Sequence, residues 1–262
     1  MDSAVGHMDF HAAKALLEWQ MELGADEAIG EGPVNRYEVP AEVAKPKVAA
    51  PVGAESMVTG AEPVRMAEAA AAGADSLEAL AGAQADFDLC ELKKGARNFV
   101  FADGNPQARV MILGEAPGRD EDVEGLPFVG RAGQLLDRMF AAIGLARSAA
   151  HAGEAIYITN VLPWRPPSNR DPEPDEIAMM LPFLQRHVAL ANPDVVVLMG
   201  NTPCAAALGR KGILRLRGHW TEAFGRPAMP MTHPAYLLRH PEAKREAWAD
   251  LLQIKARLRE AR

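Results

Sequence analysis

Four short apolar runs in the 262-residue chain each end in residues that could hold a ligand. Arg109 to Gly114 (RVMILG) leads into Gly114-Glu115-Ala116-Pro117-Gly118, and Ile156 to Asn160 (IYITN) ends on an amide. Asp194 to Gly200 (DVVVLMG) is followed by Asn201, and Ala228 to Thr232 (AMPMT) by His233-Pro234. Singly, such an Asn or His is more often a turn or cap residue than a catalyst. Together, a carboxylate, amides and an imidazole at equivalent points suggest one pocket whose groups accept and donate hydrogen bonds.

Those residues meet only if the runs are strands of one sheet. Continuous apolar segments of this length suit fully buried parallel strands. Helical stretches separate them at about Gly130 to Ile143, Pro174 to Ala191 and Thr202 to Leu208, and a closing helix starts near Pro241. Strand alternating with helix predicts an α/β sandwich with a parallel sheet. Ligands of such sheets gather beyond the carboxyl ends of the strands, where the polar residues fall.

The remainder of the chain reads differently. Apolar residues at Phe10, Ala13, Leu17 and Met21 share one helical stripe, which predicts an amphipathic helix within an N-terminal extension, residues 1–32. Residues 33–74 contain Pro33, Pro40, Pro46, Pro51 and Pro63 among Ala, Val and Glu without lasting periodicity, and read as a flexible linker. The catalytic domain is expected over 75–262.

The net charge of −7 argues against a nucleic-acid partner only until it is divided. Residues 1–80 carry −9 and residues 81–262 carry +2; within the latter, 201–262 hold 12 basic against 5 acidic side chains. One end of the main domain can therefore present a positive face to phosphates. No apolar run reaches a membrane span and the N-terminus lacks a signal-peptide pattern, so the protein is expected in the cytoplasm with no membrane partner. Two cysteines, Cys90 and Cys204, cannot form a disulfide framework, a four-thiolate zinc site or an all-cysteine iron–sulfur cluster.

Three ordered segments carry a resemblance. GEAPGRDEDVEGLPFVGRAGQLL at 114–136, TNVLPWRPPSNRDP at 159–172 and HPAYLLR at 233–239 resemble the motifs of the family 4 uracil-DNA glycosylases. The resemblance covers roughly residues 81 to 262. It implies a three-layer α/β/α sandwich around a four-stranded parallel sheet, excision of uracil from single- or double-stranded DNA, a monomer, and no consumed cofactor.

The same resemblance implies roles. Glu115 is the acidic group that positions water or stabilises the sugar cation, with Ala116 beside it where other enzymes of the superfamily carry a water-activating aspartate. Asn169 helps orient water or phosphate. Phe128 stacks on the flipped base, Asn160 reads uracil through its amide, and Glu121 guards the C5 edge against thymine. His233 hydrogen-bonds uracil O2 as negative charge develops. Leu237 or Leu238 fills the space left by the base, while Arg165, Pro166, Arg170 and Arg239 contact DNA, with Arg217 as a further phosphate ligand.

One departure is plain. Enzymes of this family usually hold a [4Fe–4S] cluster through four cysteines, at positions occupied here by Phe87, Cys90, Trp164 and Met180. One thiolate does not hold a cluster. The expectation is that the cluster is absent and that Phe87, Trp164 and Met180 form an apolar plug in its volume. The covalent-trapping branch of the superfamily is not expected, since LPWRPPSNRDPEPDE lacks its histidine-bearing insertion. A degenerate DNA-binding module is the alternative reading. A nucleotide-binding α/β protein fits poorly, because GEAPG has neither Gly-x-Gly-x-x-Gly spacing nor a Walker lysine.

Overall fold

The computed structural model describes residues 61–260. The N-terminal helix expected near Phe10 and most of the expected linker lie outside the described residues.

The last part of that linker is helical. Helix α1, Ala61–Ala72, is followed by α2, Leu77–Ala85, which Ser76 caps by accepting from the Ala79 N–H at 3.1 Å. Pro63 sits in the first turn of α1, where its missing N–H costs no intrahelical bond. Ala67 and Ala71 are buried, and α1 packs on α5, Pro174–Ala191. The folded unit therefore begins by residue 61 rather than 75. An alanine stripe buries well but carries little hydrophobic contrast, so its period is hard to see in sequence.

Strands β2 (Val110–Gly114), β3 (Ile156–Asn160), β4 (Val195–Met199) and β6 (Arg226–Met231) form the four parallel strands anticipated. The sheet has six strands rather than four, in the order β1-β3-β2-β4-β6-β5. The additions are three-residue antiparallel edges, β1 (Ala102–Gly104) on β3 and β5 (Thr221–Ala223) on β6. Short edge strands limit the backbone left open to foreign pairing.

Alternate side chains divide between two cores. Met111, Leu113, Tyr157, Val196 and Leu198 face a cluster that includes Ala67, Ala71, Leu80, Phe183 and Cys204, drawn from α1, α2, α5 and α6 (Asn201–Leu208). Val110, Ile112, Ile158, Val197 and Met231 face α4 (Arg131–Ala141), which follows the short α3 (Arg119–Glu124), together with α7 (Pro234–Arg239) and α8 (Lys244–Glu260). The result is the expected α/β/α sandwich. Gly114 pairs directly with Asn160, and Met199 with Met231, so the polar residues after each strand emerge level on one rim.

Candidate functional site

A cleft of about 570 Å³ opens on that rim. β2 comes first of the parallel strands and has β3 on one side and β4 on the other, so the order in which strands are added across the sheet reverses beside it and the flanking loops part. Glu115, Ala116, Glu121, Phe128, Asn160 and His233 all line the cleft, as do Pro166, Asn169, Arg170 and Arg239. Arg165, Leu237 and Leu238 are not among its lining residues.

Asn160 lies at the end of β3 and is 7% exposed; its Oδ1 is buried with no hydrogen-bond partner in the protein. A buried amide oxygen left unpaired costs roughly 1–3 kcal/mol until a donor reaches it. Beside it stands Phe128, also buried, its ring centroid 5.4 Å from that of His233. Gly114 makes both placements possible. A Cβ there would lie 2.2 Å from Asn160 Oδ1 and 2.5 Å from Phe128 Cε2. In the sequence, Gly114 stands out only as part of a motif.

His233 follows β6 and caps α7. Its Nδ1 accepts from the Ala235 N–H at 3.1 Å. The ring proton therefore sits on Nε2, leaving that atom a donor. Burial, helped by the positive charge of Arg239 and opposed by Glu121, lowers its pKa to about 4. At neutral pH this is an uncharged imidazole with a fixed donor.

Glu115 is oriented by a residue that sequence reasoning missed. Thr202, buried in the first turn of α6, donates its hydroxyl to Glu115 Oε2. The signal was the Asn201-Thr202 pair directly after β4. Asn201 lines the cleft as well. Its Oδ1 accepts from the N–H groups of Gly212 (3.0 Å) and Ile213 (2.9 Å), which fixes the basic loop carrying Arg210, Lys211 and Arg215.

Several expected contacts take another form. Glu121, expected against a C5 methyl, accepts through Oε1 from the N–H groups of Val129 (3.1 Å) and Gly130 (3.0 Å). It thereby satisfies free donors at the start of α4 and holds the Phe128 loop. Leu237 is fully buried in the core, so of the two leucines only the half-buried Leu238 could approach DNA. Arg170 pairs with Glu176 through both guanidinium nitrogens, at 2.5 and 3.0 Å, and Arg217 pairs with Asp250 and Glu246. Arg217 is thereby largely covered, whereas Arg170 still lines the cleft with 37% of its side chain exposed. Arg165 donates to Asn169 Oδ1 at 2.7 Å on the exposed side, and Arg239 has no ion pair among the described residues.

The four positions of the family's cluster lie together in one core cluster: Phe87, Cys90, Trp164 and Met180 are all buried. Phe87 meets Phe183 edge to face at 5.5 Å, and Gln84 Nε2 donates to Met180 Sδ at 3.6 Å. Burial pushes the Cys90 thiol up. One protonated thiol among three bulky apolar side chains does not fit a four-thiolate iron–sulfur group. No set of three or more His, Cys, Asp or Glu side chains among the described residues could hold a metal ion, and none of the described helices is long and apolar enough to cross a membrane.

Residues 101–252 match the family model described as the uracil DNA glycosylase superfamily. The chain is 39% identical over 174 residues to a type-4 uracil-DNA glycosylase of Archaeoglobus fulgidus, covering 63% of this chain and 84% of that protein. It is similar to type-4 uracil-DNA glycosylases of Saccharolobus solfataricus, 34% identical over 70% of this chain and 87% of the relative, and of Thermotoga maritima, 40% identical over 58% and 77%.

Proposed function

Since the chain belongs to the uracil DNA glycosylase superfamily and is a uracil-DNA glycosylase, we propose that it flips uracil out of DNA into the cleft, hydrolyses the N-glycosidic bond and leaves an abasic site. The observation that carries this reading is the buried, unpaired Asn160 Oδ1 in a cleft also lined by the Phe128 ring and a neutral histidine donor.

Uracil supplies what Asn160 lacks. Its N3–H donates to Oδ1, and its O4 accepts from the amide NH2. Cytosine has no hydrogen on N3 and a donor in place of O4, so both contacts become mismatched pairs in a dry site. Stacking on Phe128 adds about 1–3 kcal/mol. With Phe128 on one side and Asn160 at the rim, Ala116 is small enough to leave room for the base.

Breaking the C1′–N1 bond leaves positive charge on the sugar and negative charge on the base. His233 Nε2–H donates to O2 as that negative charge grows; a donor of this kind is worth about 3–4 kcal/mol. Glu115, held by Thr202, positions water or stabilises the sugar cation, and Asn169 helps hold the attacking face. Arg165 and Arg239 contact phosphates, with Pro166 beside the backbone and Leu238 toward the vacated base stack. Arg170 supports this face indirectly through Glu176. No step needs iron, and the proposal includes a cluster-free enzyme in which Phe87, Trp164 and Met180 pack the cluster's volume. It also takes the enzyme to be a monomer acting in the cytoplasm on single- or double-stranded DNA.

The test is cleavage of a labelled oligonucleotide with a single uracil, in U:G and single-stranded form, followed by alkali to reveal abasic sites. Alkali-labile product from wild type, with none from the matching thymine and cytosine strands, is the expected result. Tight binding of the uracil strand without any product would instead identify a binding module that has lost turnover.

A further inference from the structure

Phe128 adopts φ of 54°, in the left-handed region that residues with a Cβ rarely occupy. Such a conformation persists only where its surroundings over-determine it. Here the constraint comes from two sides. Glu121 takes the N–H groups that follow Phe128. The carbonyls are taken by a residue with no place in the cleft: Arg147 donates from Nη1 to Pro127 O at 3.0 Å and from Nη2 to Phe128 O at 2.9 Å.

Arg147 is itself anchored. Its Nε donates to Asp137 Oδ1 on α4, and its Nη1 to Asp103 Oδ2 on the edge strand β1, each at 2.8 Å. The guanidinium is largely buried, with 17% of the side chain exposed. Four acceptors on three segments use the planar fork in a way an ammonium cannot reproduce. Beneath the loop, Gly133 lets α4 pass so close that a Cβ there would lie 1.7 Å from Phe128 O. That carbonyl is held between helix and guanidinium, and the ring is delivered to the cleft.

We propose that Arg147 is a positioning residue for base recognition, acting by clamping the Pro127 and Phe128 carbonyls so that the Phe128 ring is preset as the stacking face. This rests on the reading of Phe128 given under the proposed function. A preset aromatic spares the enzyme from ordering that loop each time a base enters. It also gives β1 a role in the site it does not touch.

The experiment compares Arg147→Met, Arg147→Lys and Asp103→Asn with wild type, each also in a Phe128→Ala background. Two quantities are read: single-turnover excision from a U:G duplex, and binding of DNA carrying non-cleavable 2′-fluoro-2′-deoxyuridine relative to thymidine. Displacing the ring by about 1 Å is expected to lower excision about 10- to 100-fold in Arg147→Met, with the binding preference falling in parallel. Arg147→Lys recovers part of the loss, and Asp103→Asn shows a smaller one. In the Phe128→Ala background the Arg147 substitution is expected to cost less than about 3-fold, since its target is gone. A full loss persisting there, or a folded Arg147→Met with wild-type excision and preference, overturns the proposal. Should Arg147→Met fail to fold, Arg147→Lys and Asp103→Asn carry the same comparison. Wild type that prefers the uracil analogue without cleaving refutes the proposed turnover but leaves the clamp standing. Wild type with no preference removes both.

Discussion

His233 offers a sharp test, because its protonation state and its donor atom both follow from local geometry. The Ala235 N–H occupies Nδ1, and burial with the nearby Arg239 charge lowers the pKa to about 4 against an ordinary value of 6.5. The ring is therefore neutral at working pH, and under the proposed function its Nε2–H is the donor to the base. Removing a donor to a developing anion costs about 3–4 kcal/mol, which at about 1.4 kcal/mol per decade is a 10²- to 10³-fold loss in the chemical step. His233→Ala should show that loss in single-turnover excision with little change in binding of a non-cleavable analogue. His233→Gln, which keeps an N–H donor, should retain part of the rate. The pH profile separates neutral from charged catalysis. With the neutral ring active, lowering the pH from 8 to 5 leaves the His233 contribution intact, and loss through this group begins only near pH 4. An imidazolium mechanism requires the opposite, a rise in rate as pH falls through the group's pKa. An apparent pKa of about 6.5 that is present in wild type and absent from His233→Gln would refute the assignment.

Other consequences can be measured directly. Thr202→Val, which removes the hydroxyl bonded to Glu115 but keeps the shape, should lower excision several-fold, whereas Thr202→Ser should stay near wild type; equal effects would show that the hydroxyl does not orient the carboxylate. His187, buried and 2.9 Å from the Tyr157 hydroxyl, has its pKa lowered by burial to about 3. Between pH 6.5 and about 3 the unfolded chain binds the extra proton, so this contribution is complete above pH 6.5 and is lost progressively as pH falls; melting curves should show a shallower acid slope in His187→Phe. Met180→Ala opens space in a fully buried site and should cost about 2–5 kcal/mol in urea unfolding. Purified wild type should contain no stoichiometric iron by elemental analysis, and finding it would overturn the plug.

The legible parts of the sequence are those in which one physical requirement dominates. Strands β2, β3 and β4 are buried along their whole length, so apolar residues dominate them, Thr159 and Asn160 at the end of β3 excepted, and their limits are easy to read. Helix α5 carries its own start signal, Glu173 and Glu176 in a reciprocal cap around Pro174. Alanine-rich α1 and the three-residue edges β1 and β5 offer no comparable contrast; they exist because larger neighbours supply a surface. The site divides in the same way. Residues at strand ends, Glu115, Asn160 and His233, can be placed once the strands are known. Partnerships between distant side chains cannot be read this way. Nothing local distinguishes Arg239, unpaired among the described residues, from Arg217, which is bound to Asp250, or Leu238 from the adjacent Leu237. Thr202 and Arg147 act through neighbours brought near only by the sheet.

The packing around Met180 and Trp164 also changes how this part of the fold responds to its surroundings. A metal centre ties chain segments by bonds whose strength depends on thiolate chemistry and on oxidants. Van der Waals contact between Phe87, Trp164, Met180 and Phe183 acts only while the surfaces touch and depends on temperature through the heat capacity of the exposed apolar area. The segment joining α2 to β1 should therefore release amide protons on heating together with α5, rather than on exposure to chelator.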